Sequence, residues 1–445
     1  MNTEAKFKME ESHDGVTYTK ESDVEHGNED DSITHHSNNQ SAELIGSNVD
    51  LLTKILVSLP AKSILRFKSV SKQWLSILTH PRFIPLFHKL FNSSGLYYHE
   101  LHVSFDVENP TTPPFRTLDF YPDTNGIRIV QSCNGLLLCC CDKNEYEFEY
   151  EVRGNYYVFN PTTKKFSLIP PVIESPDAEE LIRFMGLPYH PIECVNYKLV
   201  CILRAGYTPH GQGFNEDTGG RMYNIQIYLS DTGKWKKLNQ TFTPYWYTEF
   251  KYGVYWNGAF HWAPSCRNPM YLRLDAEQLQ ELPLPSPLPV TDGCYGYPVN
   301  RSLYFGESRG HLHLVEYSHE NNPSSMNVYE MWRDHSGWFI KYQLDFHQLF
   351  DTYPNITHTR LVYDNNEFRV LDVVRGEEEE EDTFILVKVL DNIMRYNIHD
   401  KSFQHLCKIP KYNIVQETEG CFSKAFGKTF HPFVGHRYIE KIGPF

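Results

Sequence analysis

The sequence predicts a multidomain chain: a small all-α helical bundle near the N-terminus, then an all-β, propeller-like domain of about five or six blades. Three observations carry that reading. Between residues 51 and 90, large apolar residues recur at helical spacing. From about residue 95 onward, short apolar and aromatic runs alternate with Gly, Asn and Asp turns. Those strand–turn units repeat at intervals of roughly 50–60 residues, the signature of stacked supersecondary units. The length of 445 residues fits two or three domains, and 40% apolar with 14% aromatic residues is enough to build cores in them.

Residues 1–45 come first. They hold 11 acids and 3 bases and are nearly free of aliphatic residues, so a disordered acidic tail is expected. The net charge of −14 is the sum of −8 from this tail and −6 from the run at 377–382, so the rest of the chain balances to zero. No basic stripe of the kind a nucleic-acid binder needs is present. Residues 1–30 contain no apolar signal core, and no apolar run approaches the ~18 residues of a membrane span. The expected setting is intracellular, cytoplasm and/or nucleus, not secreted and not in a membrane. The 10 cysteines then read as buried free thiols, and no metal or cofactor is expected from them.

The helical part is expected over residues 46–92. Leu51, Leu52, Ile55, Leu56 and Leu59 fall on one face of a first helix, with Ser47 or Asn48 available as its cap and Asp50 suited to its positive end. Pro60 stops that helix. A second helix carries Ile64, Leu65 and Phe67, and a third carries Val70, Trp74, Ile77 and Leu78. A fourth has Phe83, Leu86, Phe87 and Leu90 at i, i+3, i+4, i+7. Four short helices in so few residues have more large apolar side chains than their own core can cover. The surplus predicts a face that docks on something else.

The β-domain is expected over residues 95–445. One arm of its repeat is a Gly/Asn turn followed by an apolar run, starting at Asn134-Gly135, Asn196-Tyr197, Asn257-Gly258, Arg309-Gly310 and Asn365-Asn366. The second arm is a hairpin whose turn carries Asp, Asn or Gly and whose return brings an aromatic or aliphatic residue to the core. It runs from Phe159 to Phe166, from Tyr228 to Trp235, from Leu272 to Asp275, from Met331 to Trp338 and from Tyr396 to Phe403. A sixth unit is expected from residues 95–130 together with the segment around 428–442.

At this point a resemblance enters. Asp50-Leu51-Leu52-Thr53-Lys54-Ile55-Leu56, then Leu59-Pro60-Ala61-Lys62-Ser63-Ile64-Leu65-Arg66-Phe67-Lys68-Ser69-Val70-Ser71-Lys72-Gln73-Trp74, then His80-Pro81-Arg82-Phe83, resembles the plant F-box. Two positions depart from it: Ser47-Asn48 stands in place of the usual opening Leu-Pro, and Lys54 in place of the usual acid. Behind it, Ser132-Cys133-Asn134-Gly135-Leu136-Leu137-Leu138 and Phe159-Asn160-Pro161-Thr162-Thr163-Lys164 are similar to the plant F-box-associated domain. The resemblance implies a non-catalytic substrate-recognition subunit of an SCF-type cullin–RING ubiquitin ligase. A Skp1-like adaptor, and through it cullin and RING subunits, would dock on Leu51, Leu52, Ile55, Leu56, Leu59, Pro60, Ile64, Leu65, Val70 and Trp74. Lys62, Arg66, Lys68 and Lys72 would complement the acidic adaptor that this family uses. Trp74 serves equally well as an internal anchor.

Other constellations carry less. His311 and His313 point to one side of a strand, but no third metal ligand is legible nearby. Cys139, Cys140 and Cys141 are consecutive and would face alternate sides of a strand. The acidic run 377–382 lacks the spacing of a calcium loop and fits a solvated loop between strands. Tyr245, Trp246, Tyr247, Tyr252, Tyr255, Trp256 and Trp262 suit packing between blades. The glycine-rich stretch 206–220, with His210 and Phe214, is the candidate recognition loop, and the substrate itself is not encoded legibly. The competing function is a propeller enzyme or glycan-binding lectin with an incidental helical leader.

Overall fold

A computed structural model describes residues 44–80, 82–83, 86–87, 95–98, 101–108, 110, 128–141, 155–173, 181–191, 196–207, 221–243, 250, 253–262, 269–285, 302–319, 322–354, 368–376, 381–410 and 435–438. The helical part begins with α1 (Val49–Val57). Asn48 caps it: its Oδ1 accepts from the backbone N–H of Asp50 and of Leu51, each at 3.1 Å. Pro60, at φ −56° and ψ 145°, cannot extend α1 and leads into α2 (Ala61–Phe67). Ser71 Oγ accepts from Trp74 N–H at 3.1 Å and so caps α3 (Lys72–Thr79). α2 and α3 are neighbours, joined by an edge-to-face pair of Phe67 and Trp74 at 5.0 Å. The fourth expected helix, 83–90, lies largely outside the described residues; within it Phe83 and Phe87 are buried and stack at 6.1 Å.

The remainder is β-structure. It opens with β1 (Gly95–Tyr98) and β2 (Leu101–Ser104). The first blade follows as β3 (Arg128–Cys133), β4 (Leu136–Cys140), β5 (Tyr156–Asn160) and β6 (Lys165–Leu168). The second is β7 (Leu181–Gly186), β8 (Lys198–Tyr207), β9 (Arg221–Leu229) and β10 (Lys234–Phe242). The third is β11 (Gly253–Trp256), β12 (Ala259–Trp262), β13 (Met270–Arg273) and β14 (Gln278–Glu281). The fourth is β15 (Ser302–Ser308), β16 (His311–His319), β17 (Asn322–Met331) and β18 (Trp338–Asp345), followed by the short α4 (His347–Thr352). The fifth is β19 (Phe368–Val374), β20 (Phe384–Val389), β21 (Asn392–Asn397) and β22 (Phe403–Lys408), and β23 (Gly435–Tyr438) comes last.

Each of the five blades is a four-stranded antiparallel meander in sequence order. A sixth, three-stranded sheet has the order β2-β1-β23, with Gly95 opposite Tyr438 and Tyr98 opposite Gly435. First strands meet first strands: β3 touches β7, β11 touches β15, β15 touches β19, and β23 touches β3. First strands therefore line the centre. The sheet built from residues 95–104 and 435–438 stands between the fifth blade and the first, where β2 also meets β22. It draws on both segments expected for a sixth unit, 95–130 and 428–442, but it has three strands, and residues 128–130 belong to the first blade.

Apolar cores lie between the sheets. Leu136, Leu138 and Cys140 join Leu199, Cys201 and Trp235 between blades one and two. Val200, Ile202 and Ile227 meet Phe260 and Leu272 between two and three. Trp256 and Tyr271 meet Leu312 and Leu314 between three and four. Val315, Val328 and Phe346 meet Val370, Val387 and Tyr396 between four and five. Leu96, Tyr98 and Val103 meet Leu371, Phe384 and Ile393 between five and the last sheet. A strand buried on both faces needs a continuous apolar run, which explains Leu136 to Cys141. Its alternate residues Leu137, Cys139 and Cys141 pack on the opposite face with Tyr157 and Phe159.

The repeat reads directly from the turns. Asn134-Gly135, Asn257-Gly258 and Arg309-Gly310 all have positive φ at both positions, the two-residue hairpin turn that matches strand twist. Lys164, Gly233, Glu277, His335 and Lys401 supply the left-handed residue in the outer hairpins of the five blades. Two expectations need correction. Asn365-Asn366 lies outside the described residues, and Phe368 and Arg369 behind it begin the first strand of blade five, one strand earlier than in the other arms. The corresponding hairpin of that blade spans the acidic run instead, so the Asn/Gly signal is missing there. Phe166 does not return to a core: it is 46% exposed, whereas Trp235 and Trp338 are covered by the preceding blade.

Candidate functional site

In the helical part, the caps and Pro60 set three short helices whose apolar residues divide in two. Leu52, Leu56 and Ile64 are buried, alongside Val57, Ala61, Ile77 and Leu78. Leu51 (44% exposed), Ile55 (46%) and Val70 (57%) face solvent, Pro60 is exposed, and Leu59, Leu65 and Trp74 are half-buried. Seven of the ten expected docking residues therefore keep surface to offer. Val49 and Leu75, three residues before Leu52 and Leu78, and Leu86, three after Phe83, are also exposed, and that helical spacing was the available signal. Residues 48–86 hold one acid, Asp50, against Lys54, Lys62, Arg66, Lys68, Lys72 and Arg82. Apolar surface with a basic surround can bind an acidic protein groove.

The centre of the propeller is polar where strands of different blades meet. Register shifts of one residue in β3, β7, β15 and β19 (at 130, 183, 303 and 371) re-aim the side chains that follow. One of these, Gln131, accepts from Leu187 N–H at 2.7 Å and donates to the Gly253 carbonyl at 2.9 Å, tying blade one to blades two and three. Gly253 leaves no alternative, because a Cβ there would lie 2.0 Å from the Phe260 ring. On the opposite side Arg437 donates to Asp372 from Nε at 2.8 Å and again from Nη2. It also donates to the Val373 carbonyl at 2.9 Å and to Ser308 Oγ at 3.0 Å. Its own carbonyl accepts from Ser132 Oγ at 2.7 Å. Burial opposes the charge on Arg437, but Asp372 outweighs it and holds the guanidinium pKa above its ordinary value. Tyr304 donates to Asp372 at 2.8 Å, and burial, then that carboxylate, raises its phenol well above the usual range.

Beside this lies a second ion pair. Glu330 is contacted by His311 Nδ1 at 2.6 Å and accepts from Arg375 Nη1 at 2.7 Å. Burial pushes the Glu330 carboxyl up, while His311 and Arg375 pull harder and leave it below its usual value. His313 is fully buried, its ring nitrogens without hydrogen-bond partners among the described residues, and burial pushes its pKa down to about 3. The His311/His313 pair thus sits in an inter-blade ionic seam. Among the described residues no three His, Cys, Asp or Glu side chains gather as a metal site. The Cys139 thiol is pushed up by burial and by Cys140, which disfavours its reactive thiolate. Trp256 and Trp262 are buried between blades; Tyr245, Trp246, Tyr247 and Tyr252 lie outside the described residues, as do residues 208–220 and 377–380. No helix among the described residues is long and apolar enough to cross a membrane.

Comparison with known proteins bears on both parts. Residues 48–86 match the family model of the F-box domain, and residues 90–275 match that of the F-box associated beta propeller domain. F-box protein At5g07610 of Arabidopsis thaliana is 31% identical over 392 residues, covering 82% of this chain and 87% of that protein. F-box protein At5g49610 of Arabidopsis thaliana is 29% identical over 286 residues, covering 60% of this chain and 71% of that protein.

Proposed function

Because this chain belongs to the plant F-box proteins that carry an F-box-associated β-propeller, we propose that it is a substrate-recognition subunit of an SCF-type cullin–RING ubiquitin ligase. A Skp1-like adaptor docks on the helical part and brings the cullin and RING subunits. The propeller takes the target. In this role the chain makes and breaks no bond itself; it raises the local concentration of one protein near another.

The observation that carries this reading is the solvent exposure of Leu51 and Ile55 on α1 and of Val70 between α2 and α3, while Leu52, Leu56 and Ile64 are buried. Exposed leucines and isoleucines on short helices are costly to leave in water, at ~25 cal/mol per Å². A partner groove removes that cost. The basic surround of residues 48–86 would speed encounter with an acidic adaptor and make it salt-sensitive.

The test is co-purification of the full chain with a Skp1-like protein. Leu51→Asp and Ile55→Asp place a charge where the partner would bury it, and each should weaken adaptor binding by at least ~2 kcal/mol, roughly 30-fold in Kd. Both positions are exposed, so folding should survive. Normal adaptor binding by both variants overturns the proposal.

A further inference from the structure

Blades three and four are joined by a contact unlike any other seam described. His261 on β12 is fully buried, and His335, at φ 61° in the turn between β17 and β18, reaches across to it. The two Nε2 atoms are 2.9 Å apart. The rings are nearly coplanar, at 6°, with centroids 5.1 Å apart. That separation is close to the nitrogen–nitrogen distance plus one ring radius at each end, so the nitrogens point at one another. The arrangement is a head-to-head N–H···N bond between two imidazoles, one donating and one accepting.

The surroundings fix it in place. The Tyr271 ring lies parallel against both imidazoles, 4.5 Å from His335 and 5.1 Å from His261. Trp256 meets them edge-on at 5.1 Å and 5.5 Å. Trp256 Nε1 donates to the Gly310 carbonyl at 2.8 Å and Asn257 Nδ2 to the Arg333 carbonyl at 2.7 Å, so the β11–β12 turn grips both turns of blade four.

We infer that this imidazole pair is a proton-sensitive clasp, closed while both rings are uncharged, loosened when one takes up a charge that the buried seam must then hold, and broken when both carry a proton and N–H faces N–H. The charged and titratable neighbours support it. Arg273 of β13 is held by Asp275 at 2.7 Å and still disfavours a second cation beside it. Asp334, next to His335, attracts a proton but is already bound by Ser336 N–H at 3.0 Å and Ser336 Oγ at 2.6 Å. The Tyr271 hydroxyl is committed to Gln280, and the Arg333 carbonyl accepts from Asn257. Asp275 is engaged by Arg273 and Asp334 by Ser336, and the pull of Asp334 on a His335 proton is outweighed by burial and Arg273. Burial, and then the partner ring, push the His261 pKa down to about 3; burial, and then Arg273, lower that of His335.

The sign follows from linkage. A histidine whose pKa is lower when closed than when open contributes stability that is intact above the ordinary value of 6.5 and is lost as pH falls below it. For His261, held at about 3, opening becomes roughly tenfold more favourable between pH 7.5 and 5.5.

Hydrogen exchange on the full chain tests this. Peptides covering 332–338 and 255–262, corrected for intrinsic rates, should open at least tenfold more at pH 5.5 than at 7.5, relative to a control peptide at 199–203. His335→Gln can still give or take the bond but does not titrate, so it should leave a smaller pH effect than wild type, carried by His261 alone. If the wild-type peptides open no more than the control on acidification, the clasp is not proton-sensitive. An equal pH effect in wild type and His335→Gln would also overturn the assignment. Should His335→Gln fail to fold, the wild-type comparison alone decides.

Discussion

Arg437 carries more of the ring than any nearby residue, and nothing in its local sequence announces it. It lies in a four-residue strand, and its partners Asp372, Val373, Ser308 and Ser132 are 64 to 305 positions away. A lone arginine between His436 and Tyr438 carries no pattern; only the closed ring creates its site. Removing it strands a buried carboxylate. Arg437→Ala should therefore cost ~3–5 kcal/mol of stability, read as a lower midpoint in urea unfolding. Arg273→Ala, which breaks an exposed pair with Asp275, should leave the same midpoint unchanged. Gln131 was equally invisible, since its two partners lie 56 and 122 positions away.

Elements were more legible than residues, because their signals are local. The outer hairpins of all five blades were readable, since a left-handed residue between two strands demands Asn, Asp, Gly or a polar residue. The first three helices followed from apolar spacing and Pro60, and Asn48 serves as the cap that Ser47 might equally have supplied. The inner hairpin of blade five was misplaced because its turn is acidic and carries no Asn-Gly pair. The division of the helical leucines into buried and exposed sets was not readable, as spacing gives a face but not which side of it is covered. Two predictions belong at this level. Ser71→Ala removes the cap of α3 and should cost ~1 kcal/mol, with Ser71→Asp restoring it, measured by thermal unfolding. Trp338→Phe keeps the ring but deletes its 2.7 Å bond to the Pro283 carbonyl, and should cost ~1 kcal/mol in the same assay.

For the molecule as a whole, the sequence period gave the propeller and the three-stranded sheet gives its closure. β23 pairs with β1 and touches β3, so one short strand joins the two ends of the β-domain. A chain ending at residue 434 would lose that pairing and Arg437 together. It should unfold at lower urea than the full chain and be cleaved faster within β1 and β2 under limited proteolysis. A truncated chain that unfolds like the full one would show that the ring does not depend on its last strand.

Gly95 and Tyr438 are cross-strand neighbours, yet translation makes them at very different times. At 5–20 residues per second, the ribosome takes roughly 20–70 s to travel from one to the other. For most of that interval the helices before residue 80 are out of the tunnel with Leu51, Ile55 and Val70 uncovered, while the β-domain is still an open arc with a bare edge. A partner that captured the helices during synthesis would shelter that grease before any target could be held, which would make assembly order a property of the gene's reading direction.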